Sequence, residues 1–251
     1  MKNSLTTKNI LGLRIAVLDK YCALHFIKDQ ISHAIPLKLG FANANLANLS
    51  QVDKNLHNNL QRFLLLNDGS GVGIASRVLY RANFPDNLNG TDFIPFFLDN
   101  CDVPLRIYLL GSTPRVSEAA ESIFKERWPQ HEVVGAQHGY FEHSDTSKVL
   151  TKIKEACPNL IFVAMGNGLQ EEWVSKLVPD FSVSAWGVGA FLDFLCNEVP
   201  RAPSWMRTLG VEWIFRLSQE PKRLWKRYLI GNFIFIYYVI LQLIGLMRSD
   251  V

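Results

Sequence analysis

The chain has 251 residues, which suits one large domain or one domain with an appendage. Hydrophobic residues make up 48% and charged residues 20% of the chain, so a sizeable core can form and wholesale disorder is excluded. The net charge of +3 divides into +5 for residues 201–251 and −2 for the remainder, which argues against a nucleic-acid-binding protein and favours a local anionic partner.

The N-terminal segment and the cysteines both point to the cytoplasm. Arg14, Asp19 and Lys20 interrupt the early apolar stretch at residues 10–18, so this segment is not predicted to be a signal peptide. The four cysteines are scattered without a C-x-x-C pair. This usage is typical of a reducing compartment and predicts neither a disulfide framework nor a zinc site.

From about residue 62 onwards, short apolar runs alternate with helical patterns. Apolar runs predict strands near residues 63–66, 105–110 and 160–165, and residues 132–135 and 183–188 are further strand candidates. Helical periodicity is found at residues 116–127, 145–156 and 171–178. This alternation predicts an α/β, Rossmann-like fold with a mostly parallel sheet flanked by helices. Ligands bind at the carboxyl ends of such sheets, so the glycine-containing loops after the strands are the candidate binding segments.

The loop after the first of these strands contains the candidate catalytic residue, Asp68. Its glycines, Gly69, Gly71 and Gly73, have G-x-G-x-G spacing, which differs from the dinucleotide-binding G-x-G-x-x-G, and the G-K-[ST] of a P-loop does not occur. A carboxylate at a strand end, beside flexible backbone, can accept a proton from a sugar hydroxyl. The alternative is that Asp68 only caps the helix that follows.

No pattern in the chain predicts a metal site, and we expect neither a metal nor another cofactor. Asp-x-Asp is absent, no histidine pair has metal-ligand spacing, and His138 and His143 are interpreted as loop residues. A G-x-S-x-G nucleophile elbow is also absent, which disfavours a hydrolase of that type. Gln170, Glu171 and Glu172 begin a predicted helix. Its free amides could hold a diphosphate, or its acids could serve only the helix dipole.

A helix rich in basic residues is predicted to start at Pro221. Its residues Arg223, Lys226 and Arg227 fall at i, i+3 and i+4 and are predicted to share one face. Together with Lys222 they form a cluster in which each residue can contribute about 1 kcal/mol to binding of anionic lipid. Guanidinium groups also bind diphosphates, so the helix is predicted to contact both the membrane surface and the substrate.

Gly231 and Asn232 are predicted to end this helix, and residues 233–247 follow as an uncharged apolar tail. Fifteen residues are fewer than the roughly 20 of a spanning helix, so a tail in the membrane interface is favoured, and a true span stays the alternative. A tail packed on the protein's own core is disfavoured, because the segment is apolar or aromatic all round. We therefore predict an α/β catalytic domain, residues 1–198, and a C-terminal appendage, residues 199–251.

Several short segments, taken together in their order and spacing, resemble the WecG/TagA/CpsF family of bacterial glycosyltransferases and the exopolysaccharide glucosyltransferases within it. The similarity extends from about residue 39 to residue 232. The segments that carry it are Asn67-Asp68-Gly69-Ser70-Gly71, Asn89-Gly90-Thr91-Asp92, Tyr108-Leu109-Leu110-Gly111, Val134-Gly135-Ala136-Gln137-His138-Gly139-Tyr140-Phe141, Ala164-Met165-Gly166 with Gln170-Glu171, Gly187-Val188-Gly189-Ala190, and Arg201-Ala202-Pro203 through Leu209-Gly210-Val211-Glu212-Trp213 to Arg216-Leu217.

The resemblance implies a metal-independent, inverting transfer of a hexose or N-acetylhexosamine from a UDP-sugar to a polyprenyl-diphosphate-linked sugar. Such a reaction belongs to surface or extracellular polysaccharide synthesis, and the protein would be cytoplasmic and peripherally bound to the inner face of the bacterial cell membrane. In the family, the aspartate matching Asp68 is the proposed general base. Asn43 and Gln170 match donor-pocket residues, and the loop glycines Gly69, Gly111, Gly139 and Gly166 are assigned to the same pocket. The basic residues assigned to the diphosphate and the acceptor are Arg216, Arg223, Lys226 and Arg227.

The sequence departs from the family pattern at two places near the donor. Phe41 stands where the family commonly has a threonine two residues before the asparagine, and Gly168 replaces the proline of M-G-x-P-x-Q-E. Both leave the donor sugar open. Two other hypotheses are an NAD(P)-dependent oxidoreductase that uses the glycine-rich loop, and a catalytically degenerate scaffold docked on the membrane. The sequence also leaves the oligomeric state open, a homo-oligomer included.

Overall fold

A computed structural model of the chain describes residues 5–246, apart from the side chain of His143. Residues 1–4 of the predicted catalytic domain and residues 247–251 of the predicted appendage lie outside the described residues. Met247, the last residue of the predicted apolar tail, is among them.

The described residues form one sheet of eight strands. The strands are β1 (Thr7–Ile10), β2 (Leu13–Ala16), β3 (Lys38–Ala42), β4 (Leu64–Asn67), β5 (Arg106–Gly111), β6 (Glu132–Gln137), β7 (Leu160–Ala164) and β8 (Ser184–Gly187). Their order across the sheet is β1-β2-β4-β3-β8-β7-β5-β6. Neighbouring strands are parallel, apart from β1 and β2, which form an antiparallel hairpin at one edge. The predicted α/β fold with a mostly parallel sheet is confirmed.

Helices cover both faces of this sheet. They are α1 (Lys20–Ser32), α2 (Ala44–Val52), α3 (Lys54–Leu60), α4 (Gly69–Tyr80), α5 (Gly90–Asn100), α6 (Pro114–Arg127), α7 (Thr146–Ala156), α8 (Leu169–Phe181), α9 (Phe191–Leu195), α10 (Ser204–Thr208), α11 (Glu212–Gln219), α12 (Pro221–Trp225) and α13 (Gly231–Leu243). Successive strand residues alternate between two buried clusters. Leu109 and Phe162 belong to the cluster with α1, α5, α6 and α9, whereas Leu110 and Val163 belong to the one with α2, α3, α4, α7, α8 and α13.

The predicted strands and helices after residue 62 match the structure to within a few residues. Strands β4 to β8 correspond to the five predicted strands, and α6, α7 and α8 to the three predicted helices. The runs of β4, β5 and β7 are continuously apolar because these strands are buried on both faces of the sheet, whereas the edge strand β6 is only partly buried. The elements before residue 62 and helix α5 were not among the predicted elements. Of these, β1 and β2 have only four residues each, too few for a periodic pattern to stand out.

The predicted helix end at Gly231 and Asn232 is wrong. Gly231 has right-handed helical dihedral angles (φ −61°, ψ −37°). The helix therefore continues from α12 through a π turn at Lys226–Ile230 into α13. Asn48 of α2 donates from Nδ2 to the Gly231 carbonyl at 2.7 Å and so fastens this junction to the body of the protein. The combined helix, Pro221–Leu243, has 23 residues and is long and apolar enough to cross a membrane, so length no longer argues against a span.

Contacts at its far end show that α13 lies along the protein. Phe235 and Val239 are buried in the same cluster as residues of α2 and α4. Gln242 donates from Nε2 to the Asn9 carbonyl at 2.9 Å and accepts from the Leu11 amide at 2.8 Å, which fixes this end to the β1–β2 hairpin. Other large apolar side chains of the same helix are exposed: Phe233, Ile234, Ile236, Tyr237, Ile240 and Leu243.

The tail therefore does pack on the protein's own core, the alternative that the sequence disfavoured. It also has the exposed apolar surface that membrane binding requires. Phe235 and Val239 share their buried cluster with Leu46 and Val72, so the core extends across the predicted boundary between the catalytic domain and the appendage. The division at residue 198 stays a prediction.

Candidate active site

A cleft of about 1050 Å³ opens at the carboxyl ends of β3, β4, β5, β7 and β8. Ligands of parallel sheets bind at this edge, and the volume is at the upper end of the range for small-molecule sites. Residues that follow these strands line one wall. Helices α11 and α12 and the π turn line the other, so the predicted appendage closes over the ends of the strands.

Asp68 lines this cleft directly after β4. Its carboxylate makes no capping hydrogen bond among the described residues of α4, so the alternative that it only caps this helix is wrong. Asn43 instead donates from Nδ2 to Asp68 Oδ2 at 3.2 Å. The Asn43 side chain is itself fixed at the start of α2, because its Oδ1 accepts from the Leu46 amide at 3.0 Å. Asn43 therefore holds the carboxylate in place within the cleft.

Burial raises the pKa of Asp68 above its ordinary value, because removal from water disfavours the charged form. The Asn43 hydrogen bond and the guanidinium groups of Arg227 and Arg216 oppose this rise in pKa, whereas the Glu212 carboxylate adds to it. A carboxylate whose pKa is raised is a better proton acceptor near neutral pH than an ordinary surface aspartate. Asp68 thus has the electrostatics of a general base.

Two arginines line the cleft near Asp68: Arg216 of α11 and Arg227 of the π turn. The guanidinium carbon of Arg216 lies 5.2 Å from the centre of the Phe194 ring, and Arg227 Nη2 lies 3.5 Å from Asn167 Oδ1. The Nε of each arginine is buried without a hydrogen-bond partner in the described part of the chain. Buried donors are normally paired, so these guanidinium groups are suited to an anionic ligand such as a diphosphate.

Arg223 and Lys226 do not repeat this arrangement. Arg223 lines the cleft but is exposed and pairs with the Glu220 carboxylate. Lys226 is exposed, lies over the Trp225 ring at 5.6 Å, and does not line the cleft. The predicted common face is therefore wrong for Lys226. A π turn contains more residues than an α turn, and here it brings Arg227 rather than Lys226 to the cleft.

Three of the four predicted loop glycines line the cleft: Gly69, Gly139 and Gly166. Gly111 lies behind it. Gly111 has a φ of +129°, and a Cβ at this position would lie 2.3 Å from the Ala164 carbonyl oxygen. Its lack of a side chain lets the ends of β5 and β7 approach each other, so Gly111 shapes the wall of the cleft.

Gln170 lines the cleft and is held by Glu171, which is fully buried. Gln170 Nε2 donates to Glu171 Oε1 at 2.8 Å, and Gln170 Oε1 accepts from the Gly189 amide at 3.0 Å. Glu171 Oε2 accepts from the Gly168 amide at 2.6 Å. Burial raises the pKa of Glu171. Glu171 thus positions Gln170, and it occupies a donor that the predicted diphosphate site at this helix would have used.

The sequence patterns missed a polar pair in the cleft. Ser112, directly after β5, donates from Oγ to Asp193 Oδ1 of α9 at 2.5 Å, and both side chains line the cleft. The position of Ser112 after a predicted strand was a usable signal. Asp193 is 81 residues away and had no local signal, because only the tertiary fold brings α9 to this edge of the sheet.

Nowhere within residues 5–246, the His143 side chain excepted, do three or more His, Cys, Asp or Glu side chains lie close enough to hold a metal ion. The cleft instead contains guanidinium groups, which bind anions. The expected independence from a metal stays a prediction.

Comparison with known proteins gives the family. The model of the Glycosyl transferase WecG/TagA/CpsF family matches residues 8–249. The chain belongs to this family.

Two relatives carry the name N-acetylglucosaminyldiphosphoundecaprenol N-acetyl-beta-D-mannosaminyltransferase. The one from Staphylococcus aureus (strain MW2) is 33% identical over 166 residues, which cover 65% of this chain and 64% of the relative. The one from Bacillus subtilis (strain 168) is 30% identical over 212 residues, which cover 83% of this chain and 80% of the relative. The chain thus matches slightly less than two thirds of the length of the Staphylococcus aureus relative.

The two departures from the family pattern change the cleft of this glycosyltransferase locally. The Phe41 ring lines the cleft and packs under Gly90, where a Cβ would lie 3.1 Å from the ring. An apolar ring therefore replaces the hydroxyl of the usual threonine. Gly168 has a φ of +91°, which a proline ring cannot adopt. The loop before α8 therefore differs in backbone conformation from one that contains the proline.

Membership of a glycosyltransferase family replaces the oxidoreductase hypothesis. The glycine-rich loop agrees with this. Gly69 is the first residue of α4, and its amide already donates to Asn87 Oδ1 at 3.0 Å. The amide that begins this helix is therefore not free to hold a dinucleotide phosphate.

Proposed function

We propose that this protein transfers a hexose or N-acetylhexosamine from a UDP-sugar to a polyprenyl-diphosphate-linked sugar, with inversion and without a metal ion. One observation carries the proposal: the Asp68 carboxylate, whose pKa is raised, shares a cleft with two arginines that have unpaired, buried Nε donors. The names of the two relatives support the acceptor class, since both names include N-acetylglucosaminyldiphosphoundecaprenol, a sugar linked through a diphosphate to a polyprenol.

In this reaction, Asp68 accepts the proton of the acceptor hydroxyl as the hydroxyl oxygen bonds to the anomeric carbon of the donor. The bond between that carbon and the UDP oxygen breaks at the same time, which inverts the configuration. Asn43 keeps the carboxylate oriented toward the cleft. Arg216 and Arg227 stabilise the negative charge that develops on the leaving diphosphate, as fixed cations do in a preorganised site.

We place the enzyme on the inner face of the bacterial cell membrane, peripherally bound and in contact with anionic lipid. The exposed apolar side chains of α13 and the exposed Lys222 and Lys226 support this placement. Gln242 holds the end of α13 on the β1–β2 hairpin, so the helix lies in the interface along the protein rather than across the bilayer. The product then enters the synthesis of a surface or extracellular polysaccharide.

A panel of UDP-sugars tests the proposed function. We expect one UDP-sugar to release UDP only when a diphosphate-linked N-acetylglucosamine acceptor is present, and the product linkage to have the inverted anomeric configuration by NMR. Because Phe41 and Gly168 alter the donor side of the cleft, the preferred donor is read from the panel. Absence of acceptor-dependent UDP release with every donor would favour the degenerate scaffold.

The pH dependence follows from the raised pKa of Asp68. The base must be ionised to accept a proton, so kcat/KM falls as the pH decreases through the pKa of the free enzyme. We expect this fall at a clearly higher pH than the value of about 3.9 for an ordinary aspartate. A pH–rate profile measured at fixed ionic strength shows it. An acid limb at the ordinary aspartate value would contradict the environment described for Asp68.

Metal independence is tested with excess EDTA. We expect steady-state turnover to stay the same, because Arg216 and Arg227 provide the positive charge that a divalent ion supplies in enzymes with Asp-x-Asp. Loss of turnover that Mn²⁺ or Mg²⁺ restores would show that the leaving group is stabilised differently.

Membrane binding is tested by Phe233→Gln with Tyr237→Gln. Both side chains are highly exposed on α13, so the pair should reduce co-sedimentation with anionic liposomes and leave the thermal unfolding midpoint nearly unchanged. Phe235→Gln serves as the contrast, because it places a polar group in the buried cluster and should lower that midpoint. Deletion of residues 233–251 would confound the two effects, since it removes Phe235 and Val239 from the core. Undiminished liposome binding of the double variant would place the membrane contact elsewhere.

A further inference from the structure

Two apolar stripes line a groove that leads away from the catalytic end of the cleft. The stripe on α4 consists of Gly71, Ile74, Ala75 and Val78. The stripe on α13 consists of Phe235, Ile236, Val239 and Ile240. Each member of a stripe has another member three or four positions away, and residues with that spacing share one side of a helix, so each helix presents a continuous apolar edge to the groove.

The two helices run in the same direction. At the near end, α4 begins directly after Asp68, and α13 begins directly after the π turn that contains Arg227. At the far end, the Asn9 carbonyl accepts from Tyr80 Oη at 2.8 Å and from Gln242 Nε2 at 2.9 Å. Both helices therefore end at the β1–β2 hairpin, and the groove extends from the reacting centre to that edge of the protein.

We propose that this groove binds the first isoprene units of the acceptor's polyprenyl chain, an inference that rests on the proposed function. A lipid-linked acceptor carries its sugar, its diphosphate and its prenyl chain in this order. The cavity has matching parts in the same order. The base Asp68 and the two arginines lie at its catalytic end, and the apolar groove leads away from that end. From Asp68 to Val78 the groove extends for about 15 Å at 1.5 Å per residue, enough for more than one isoprene unit.

The groove is open in the described structure. Ile74, Val78, Ile236 and Ile240 are each between 42% and 53% exposed. This is apolar surface beside a cationic cluster, which suits a ligand that has an apolar chain attached directly to a diphosphate. An acyl chain of a bulk phospholipid would match the groove alone, whereas a prenyl diphosphate matches the groove and the arginines together.

Two variants test the walls of the groove separately, Ile74→Gln with Val78→Gln on α4 and Ile236→Gln with Ile240→Gln on α13. All four side chains are about half exposed, and glutamine favours helices at least as well as valine or isoleucine, so both variants are expected to fold. The matched control is Phe233→Gln with Tyr237→Gln, which removes exposed aromatic side chains from α13 outside the cleft.

Calorimetric titration with farnesyl diphosphate and with inorganic diphosphate provides the measurement. We expect the unmodified protein to bind farnesyl diphosphate at least about tenfold more tightly than inorganic diphosphate, since each buried methylene group adds to affinity. This ratio should fall toward one in both groove variants and stay high in the control. A ratio near one in the unmodified protein, a ratio kept in both groove variants, or an equal loss in the control would each overturn the proposal. If dodecyl phosphate exceeded inorganic phosphate in affinity by the same factor, the groove would be assigned to acyl chains instead.

The same proteins separate this inference from the proposed function. With acceptors in detergent micelles, the groove variants should raise KM for a prenyl-linked acceptor far more than for a short-chain diphosphate-linked acceptor. If the unmodified protein transfers no sugar but keeps the preference for farnesyl diphosphate, the proposed function fails and the prenyl site stands. If it transfers sugar with equal KM for both acceptors, the proposed function stands and the groove does not bind the chain.

Discussion

Replacing Asp68 by asparagine should lower kcat by roughly 10²–10⁴-fold while leaving UDP affinity nearly unchanged. The substitution keeps the size of the side chain and an oxygen that can accept from Asn43, but it removes the group that takes the acceptor proton. The measurement is kcat with saturating acceptor, together with the dissociation constant for UDP from calorimetry.

The matched control for this variant is Asp180→Asn. Asp180 is exposed on α8 and does not line the cleft, so the same change of charge there should leave kcat within about twofold. A near-normal kcat of Asp68→Asn would rule out Asp68 as the base.

The same variant should be more stable than the unmodified protein at neutral pH. The folded-state pKa of Asp68 is raised, so the native state holds this proton more tightly than the unfolded chain. The stability from Asp68 is thus fully present below the unfolded pKa of about 3.9 and is lost as the pH rises through the folded pKa. Asp68→Asn avoids this loss. Its thermal unfolding midpoint should exceed that of the unmodified protein at neutral pH, and the difference should shrink toward acidic pH.

The second large effect is expected for Arg216→Gln with Arg227→Gln. These guanidinium groups have buried Nε donors that lack partners in the described structure, and both act on Asp68 electrostatically. Removing one preorganised charge-stabilising donor typically costs roughly 10²–10³-fold in kcat, so the pair should lose at least this much. The pKa of Asp68 should rise further without the two positive charges, and the acid limb of the pH–rate profile should move to higher pH.

Lys222→Gln with Lys226→Gln is the control for charge. It removes the same number of positive charges from the predicted appendage, but neither lysine lines the cleft. We expect weaker liposome binding, with turnover on a water-soluble acceptor close to that of the unmodified protein. If the lysine variant loses turnover as strongly as the arginine variant, the basic segment acts through overall charge rather than through two placed guanidinium groups.

The fold class was predictable because its signals are local. Burial on both faces of a parallel sheet makes strands such as β7 continuously apolar, and such a run is visible in any short stretch of sequence. The place of Asp68 in the site was also predictable from a local signal, since a polar residue that ends a buried strand lies at the edge where such sheets bind ligands. The family resemblance added Asn43 and Arg216, which no local pattern had selected, and it gave Gln170 its assignment to the donor pocket.

Gly231 shows where local signals mislead. Glycine often ends a helix because it tolerates left-handed dihedral angles, but it can also stay in the right-handed region. Here Asn48 fastens the junction, and burial of Phe235 and Val239 stabilises the turns that follow. Tertiary packing outweighed a propensity difference of about 1 kcal/mol.

The sequence by itself determined the mostly parallel α/β architecture, the edge of the sheet where the site lies, and the basic, apolar character of the C-terminal segment, because periodicity and composition act over neighbouring residues. Only the tertiary structure decided which basic residues reach the cleft, that Asp193 joins Ser112 there, and that α13 lies beside α4. Each of these depends on packing between segments far apart in the chain, and a π turn shifts side chains in a way that no residue pattern marks.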